Sequence, residues 1–168
     1  QAEGFIVITG GIGTGKTTVA NSLLEEIEDD IVAAQIVTPK LSPDELVKMV
    51  ASKFDIPTEG RSKADILKAL EIFLYDLNKA GRRALLLVDE AQNLPLETIE
   101  ELRMLSNFQL NGKPLIQSFL LGQEELQPIL RAPNMEQFRQ RIVASCHLAP
   151  LSLEECKEYI EYRLHHAG

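Results

Sequence analysis

Short apolar runs that alternate with segments of helical periodicity organise this sequence. The runs lie at Phe5-Ile6-Val7-Ile8, 31–38, 84–88, 115–121 and 142–148. The first of them, with Thr9, is continuous and rich in branched residues, which is typical of a strand buried on both faces of a parallel sheet. Strands that alternate with helices and are joined by right-handed crossovers predict an α/β fold with a mostly parallel sheet.

The helical segments carry start and stop signals. Ser42 with Glu45 forms a capping box, Ser62 opens a second helix, and Gly81 ends it. This second helix is apolar on more than one face, which predicts that it packs between the sheet and another element. A third helix follows Pro95. Its predicted buried side consists of Leu96, Ile99, Leu102, Met104, Leu105 and Phe108.

The first apolar run leads into a glycine-rich loop, 10–17, and helical periodicity follows the loop. This order of strand, loop and helix is the context in which G-x-x-x-x-G-K-[ST] indicates a P-loop. Glycines allow the backbone to direct N–H groups at a phosphate, and the helix adds its positive dipole end. The predicted nucleotide-binding residues are Gly10, Gly11, Ile12, Gly13, Thr14, Gly15, Lys16, Thr17 and Thr18.

Two residues of this loop have specific predicted roles. Lys16 is expected to contact the β- and γ-phosphates, and Thr17 is expected to bind Mg²⁺ through its hydroxyl. The alternative is a glycine-rich turn that matches the motif by chance. It is disfavoured because every fixed position is filled and both flanks agree.

A second informative stretch is the apolar run 84–88, which ends in Asp89-Glu90. It is typical of a Walker B element, in which Asp89 holds Mg²⁺ and Glu90 acts as the general base for water. The alternative is that the two acids only terminate a strand and cap the next helix. The pair is a weak signal alone, but its place at the end of a core strand after a P-loop favours the functional interpretation.

Gln123 follows the strand predicted at 115–121. Ligands of open parallel sheets bind beyond the carboxyl ends of the strands, so Gln123 is a candidate sensor of the terminal phosphate. The rule locates a strand end and does not assign a side chain. A cap on the next helix is therefore an equal alternative.

Composition narrows the class of partner. The 168 residues carry a net charge of −8 with a pI near 4.9, whereas general nucleic-acid binders are basic. Tryptophan is absent and aromatic residues are few, so stacking platforms for single strands are not expected. No nucleic-acid partner is therefore predicted.

The remaining sequence features concern location. Cys146 and Cys156 match neither a metal-ligand spacing nor a disulfide framework, so they are predicted to be buried free thiols in a reducing compartment. No apolar run reaches the length of a membrane span. The chain begins without Met, almost directly on its first strand, and we expect it to be a piece of a longer protein.

Several stretches together resemble the P-loop ATPases of the AAA+ type, in particular the general-secretion-pathway A-type ATPases. The similarity is greatest to the secretion ATPases of exosortase/PEP-CTERM loci and covers nearly the whole chain. The stretches that carry it are 10–18, 87–94, 102–108, 121–126 and 139–148.

The resemblance implies a three-layer core with a five-stranded sheet in the order 5-1-4-3-2. It implies a core domain at 1–150, followed by the opening of a truncated helical lid at 151–168. It also implies a homo-oligomeric ring in which a neighbour supplies an arginine finger. The family position for the finger leaves Arg139 or Arg141, with Arg141 slightly favoured. The alternative is a surface arginine paired to Glu136 or Glu154.

The function that the resemblance implies is Mg²⁺-dependent ATP hydrolysis that drives or regulates protein secretion or envelope assembly, together with a protein partner. The resemblance also implies ATP rather than GTP, and the absence of an N-K-x-D-type guanine-reading run gives weak further support. The expected location is the cytoplasm, at the inner membrane only through segments outside this chain. The alternative function is a nucleotide-switched DNA-binding ATPase of the transposition type.

Overall fold

The computed structural model of the chain describes residues 4–11, 15–26, 30–37, 40–149 and 153–166. The elements in chain order are β1 Phe5–Gly10, α1 Lys16–Glu26, β2 Ile31–Ile36, α2 Pro43–Lys53, α3 Lys63–Lys79, β3 Arg83–Val88, α4 Leu96–Leu105, β4 Gln109–Leu110, β5 Lys113–Pro114, β6 Ile116–Gly122, α5 Leu126–Arg131, α6 Glu136–Arg139, β7 Ile142–Leu148 and α7 Leu153–His166. Short 3-10 turns lie at Ala91–Asn93 and Pro133–Met135.

The main sheet of the described residues has five strands in the order β2-β3-β6-β1-β7. All four neighbouring pairs are parallel. When only the strands of this sheet are counted, β6 and β7 are the fourth and fifth, so the order is 5-1-4-3-2, as the resemblance implied. The P-loop strand β1 therefore lies inside the sheet, and its carboxyl end lies beside the ends of β6 and β7.

Both faces of the sheet are covered, which makes the fold a three-layer α/β fold. Phe5 and Val7 of β1 face a hydrophobic cluster built with α2 to α6, while Ile6 and Ile8 face a second cluster built with α1 and α7. This alternation follows from the two-residue period of a strand. Cys156 and Ile160 of α7 are buried in the second cluster, so α7 packs on the same face of the sheet as α1.

The sequence missed one small element. The sequence signal here is Asn111-Gly112, a pair typical of turns, and it joins the antiparallel strands β4 and β5 into a hairpin. Both residues have a positive φ, at 55° and 79°, which is the conformation of a two-residue hairpin turn and the reason for the Asn-Gly pair.

Three apolar side chains expected to be covered are exposed, so those predictions were wrong. Ile72 of α3 is 52% exposed, and Leu96 and Met104 of α4 are 47% and 50% exposed. Met104 lies two residues after the buried Leu102, which is roughly 200° around a helix of 3.6 residues per turn. An apolar residue at that spacing faces away from the core.

The prediction of two free thiols was also wrong, because Cys146 of β7 and Cys156 of α7 form a disulfide. α7 turns back along the edge strand, which brings the two Cα atoms to 5.9 Å, within the range of disulfides. A ten-residue separation across a strand–helix connection is not a framework that sequence reveals. The bridge ties the last strand to the helix that covers it.

An ion-pair cluster joins three helices on the other face of the sheet. Lys63 Nζ lies 2.7 Å from Glu101 Oε1 of α4 and 3.3 Å from Asp44 Oδ1 of α2. The side chain of Glu101 is only 7% exposed, whereas that of Asp44 is 68% exposed. The hydrogen bond to Glu101 raises the pKa of Lys63. The stability that this pKa shift contributes is present below the ordinary pKa of lysine and is lost as the pH rises through the raised pKa.

We expect Lys63→Met to lower the free energy of unfolding by about 1–3 kcal/mol, because it leaves the buried Glu101 carboxylate without its partner. The matched control Asp44→Asn removes the exposed partner and should cost less than about 1 kcal/mol. Urea unfolding measures both values. An equal cost for the two variants would contradict the dominance of the buried contact.

Candidate nucleotide-binding site

The described part of the P-loop sits at the carboxyl end of a buried inner strand. β1 ends at Gly10, α1 begins at Lys16, and the N–H of Val19 donates to the Gly15 carbonyl at 2.9 Å. Gly15 has a φ of 91°, a conformation that glycine adopts without strain. The strand–loop–helix order is as predicted. Ile12, Gly13 and Thr14 lie outside the described residues, so their contacts with phosphate stay a prediction.

Lys16 is folded onto its own loop. Its Nζ donates to the carbonyl oxygens of Gly10 and Gly11, each at 3.1 Å, and the residue is 9% exposed. The loop therefore holds the ammonium group close to the N-terminus of α1. A cation beside that end of a helix dipole is stabilised when an anion shares the site, so this placement suits a phosphate ligand.

The predicted Mg²⁺ ligands come from the start of α1 and from the end of β3. Thr17 is exposed in the first turn of α1, and Asp89 is half-buried directly after β3. A hydroxyl and a carboxylate are hard oxygen donors, which Mg²⁺ prefers. The described residues hold no cluster of three or more His, Cys, Asp or Glu. This donor set fits a Mg²⁺ ion held by few protein ligands and by nucleotide phosphates rather than an all-protein site.

The Asp89-Glu90 pair has an unusual backbone. The Asp89 N–H continues the sheet by donating to Ile36 O at 2.9 Å, and the Glu90 N–H donates to Asp89 Oδ1 at 2.9 Å. Glu90 has φ 54° and ψ 42°, a left-handed conformation that a non-glycine residue adopts at some cost. Its side chain does not cap the 3-10 turn that follows. The Glu90 carboxylate therefore does not cap this turn, although the sequence had left a capping role open as the alternative.

Gln92, which the sequence analysis did not single out, contacts this carboxylate. Gln92 Nε2 donates to Glu90 Oε2 at 2.7 Å. Gln92 Oε1 accepts from the backbone N–H of Gln123 at 3.0 Å. One amide side chain therefore joins the predicted general base to the end of β6. In the sequence Gln92 was only one member of the stretch 87–94 that carries the family resemblance, and no local pattern reveals a contact across 31 residues.

Gln123 lies at the sheet edge that the sequence predicted. In the parallel register Thr9 is opposite Gly122, so Gln123 follows at the level of Gly10, where the P-loop begins. α5 begins without a side-chain cap. This position is compatible with contact to a terminal phosphate, which stays a prediction for Gln123.

A second polar network lies at the base of the P-loop. Thr9 Oγ1 is 3.0 Å from His147 Nδ1 and accepts from Gln127 Nε2 at 3.0 Å. His147 Nε2 is 3.6 Å from a carboxylate oxygen of Glu124. His147 lies near the carboxyl end of β7. The network joins the ends of β1 and β7 to α5 and to the turn that precedes it.

The two candidate finger arginines lie elsewhere. Arg141 precedes β7, and its carbonyl accepts from the Phe5 N–H at 2.9 Å, which places it at the amino end of β1. Its guanidinium donates to Ser106 Oγ at 2.6 Å. Arg139 donates to the carbonyls of Leu130 and Ala132 at 2.7 and 2.8 Å. Arg141 therefore lies at the sheet edge opposite the P-loop, and its role as an arginine finger stays a prediction.

Comparison with known proteins agrees with this geometry. Residues 1–130 match a family model described as AAA domain. The chain belongs to this family. General secretion pathway protein A of Aeromonas hydrophila is 40% identical over 167 residues, which cover 98% of this chain and 30% of that protein. The resemblance to the A-type secretion proteins is thus confirmed, and the chain spans about a third of this relative's length.

Solved structures show the same fold. The ADP form of the ORC2 protein of Aeropyrum pernix has a TM-score of 0.63 at 20% identity, covering 97% of this chain and 46% of that chain. CDC6P of Pyrobaculum aerophilum has a TM-score of 0.64 at 17% identity, covering 96% of this chain and 43% of that chain.

Among the residues that the structure describes, no helix is long and apolar enough to cross a membrane.

Proposed function

We propose that this AAA domain binds Mg²⁺-ATP and hydrolyses it to ADP and phosphate. The observation that supports the proposal is that both motifs lie at the carboxyl edge of the same parallel sheet. Lys16 begins α1 directly after the loop that follows β1, and Asp89 and Glu90 directly follow β3, with β6 as the one strand between β1 and β3. This is the arrangement that phosphoryl transfer to water requires.

Each residue has a separate chemical role in this proposal. The backbone amides before and within the first turn of α1 bind phosphate oxygens, and Lys16 neutralises charge that develops on the leaving and transferring oxygens. Glu90 takes a proton from the attacking water. Thr17 and Asp89 would hold Mg²⁺, which supplies further neutralisation of the phosphate charge. Gln123 would contact the terminal phosphate.

Calorimetry and phosphate release test the proposal directly. We expect heat of binding from Mg²⁺-ATP that exceeds the heat from Mg²⁺-GTP, release of phosphate, and loss of that release when EDTA removes the metal. The proposal would be overturned if a well-folded sample of the full-length protein bound no nucleoside triphosphate.

The biological setting is a further part of the proposal. The relative in Aeromonas hydrophila is described as a general secretion pathway protein, which supports a role in secretion or envelope assembly with a protein partner. We also propose that full-length subunits form a ring in which Arg141 completes the neighbour's site. Its position at the edge opposite the P-loop supports action on another subunit and not on its own nucleotide.

Two assignments depend on the same proposal. We propose a core at 1–150 and the opening of a lid at 151–168, of which the described α7 packs on α1 and β7.

We also propose a cytoplasmic location, where ATP is supplied. Glutathione and thioredoxin keep thiols reduced there, so trapping of thiols in intact cells with an alkylating reagent would show whether Cys146 and Cys156 are bridged in that setting.

A further inference from the structure

We propose that Gln92 is a positioning residue that holds the Glu90 carboxylate and couples it to the end of β6. The general base and the candidate phosphate sensor Gln123 would then respond to the nucleotide as one unit. This inference rests on the proposed ATPase function. It adds a residue that the P-loop and Walker B motifs do not contain.

Hydrogen-bond chemistry fixes the orientation of the Gln92 amide. The backbone N–H of Gln123 can only donate, so the group that faces it at 3.0 Å must be the carbonyl oxygen Oε1. The NH₂ group therefore faces Glu90 Oε2 at 2.7 Å and donates to it. Both arms of the amide are used, and a flipped amide would lose both bonds.

The backbone around the bridge is adapted to it. A Cβ added at Gly122 would lie 2.9 Å from Gln92 Oε1 and 2.7 Å from Leu126 Cδ2, both closer than a real Cβ approaches another atom. A side chain at 122 would therefore push the Gln92 amide oxygen and the Leu126 side chain from these positions. On the other side, the left-handed backbone of Glu90 directs its side chain to the bridge. Gly122 and the left-handed Glu90 thus lie at the two ends of the Gln92 side-chain amide.

The bridge has a consequence for catalysis. A hydrogen bond from Gln92 engages one oxygen of the Glu90 carboxylate and limits its rotation, while a carboxylate has several further acceptor positions for water. Restricting a catalytic group to its working geometry lowers the entropic cost of reaction. Because the other arm is bonded to Gln123, any movement of the β6 end toward a phosphate displaces the amide and the carboxylate with it.

Two substitutions separate the arms of the bridge. Gln92→Met removes both bonds with little change in size, while Gln92→Glu keeps an acceptor for the Gln123 N–H and places a second carboxylate against Glu90. We expect kcat to fall about 5- to 30-fold in Gln92→Met, and further in Gln92→Glu, because like charges repel at this distance. The Kd of a non-hydrolysable ATP analogue should change less than about 3-fold in both. The matched control is Asn93→Ala, an exposed neighbour on the same turn, with kcat unchanged.

Nuclear magnetic resonance provides a readout that requires no turnover. In nucleotide-free protein we expect the side-chain NH₂ resonances of Gln92 to lie downfield of exposed glutamines and to move in Glu90→Gln and in Gly122→Ala. Addition of the ATP analogue should move them as well. The inference would be overturned if the Gln92 side-chain resonances stayed unchanged in both variants and on addition of the analogue. If a variant fails to fold, the wild-type protein with the analogue still provides the test.

The outcomes distinguish the two levels of the proposal. A folded wild-type protein without nucleotide binding would overturn the ATPase function, while the nucleotide-free resonances would still test the bridge. A wild type that hydrolyses ATP, with Gln92→Met and Gln92→Glu both equal to Asn93→Ala in kcat, would overturn the role of Gln92 alone.

Discussion

Lys16→Ala should bind Mg²⁺-ATP at least about 100-fold more weakly than the wild type and should show no measurable hydrolysis. Lys16 is nearly buried, and its ammonium is held by the carbonyls of Gly10 and Gly11, so it is the cation that the loop itself supplies to a phosphate. Without Lys16, only the backbone amides of the loop remain to bind the negatively charged phosphates of the nucleotide. Calorimetry with ATP and with ADP measures the loss.

Two further variants make the Lys16 result specific. Lys48→Ala removes an exposed lysine of α2 and should leave binding unchanged. Lys16→Arg keeps the charge but not the compact shape of the ammonium group, so we expect it to bind poorly as well. Circular dichroism should show that Lys16→Ala is folded. Tight ATP binding by folded Lys16→Ala would remove the main support for a P-loop at this site.

Glu90→Gln should bind ATP with about the wild-type affinity while its kcat falls by about 100- to 10,000-fold. Glutamine has almost the same shape as glutamate, and its amide oxygen can still accept from Gln92 Nε2, so the bridge to Gln123 persists. What is lost is the ability to take a proton from water. Single-turnover phosphate release and binding of ATP by calorimetry separate these effects.

The matched control for this substitution is Glu97→Gln, which neutralises an exposed glutamate in the first turn of α4. It should hydrolyse ATP at the wild-type rate. Normal turnover by Glu90→Gln would show that another group prepares the water, and Asp89 would be the next candidate to examine. A loss of ATP binding in Glu90→Gln would instead indicate a role in holding the nucleotide.

The elements that the sequence predicted correctly depend on local information. The strands β1 and β3 are apolar runs whose buried residues follow one another in sequence, and the P-loop begins where β1 ends. The capping box of Ser42 and Glu45 is present because its bonds join residues three apart. Such features need no knowledge of distant parts of the chain.

Contacts between distant residues were beyond the sequence. The bridge from Glu90 through Gln92 to Gln123, the disulfide of Cys146 and Cys156, and the burial of Glu101 beside Lys63 all depend on which elements become neighbours. Periodicity also failed to show that the apolar Ile72 and Met104 point outward.

By itself, then, the sequence determined the alternation of the main strands and helices and the place of the glycine-rich loop after β1, because spacing along the chain is enough to specify local backbone conformation. The tertiary structure decided which polar groups meet at the sheet edge. Parallel pairing placed β3 beside β6 and β6 beside β1, and only this arrangement brings the Glu90 carboxylate within one glutamine side chain of the strand end beside the P-loop.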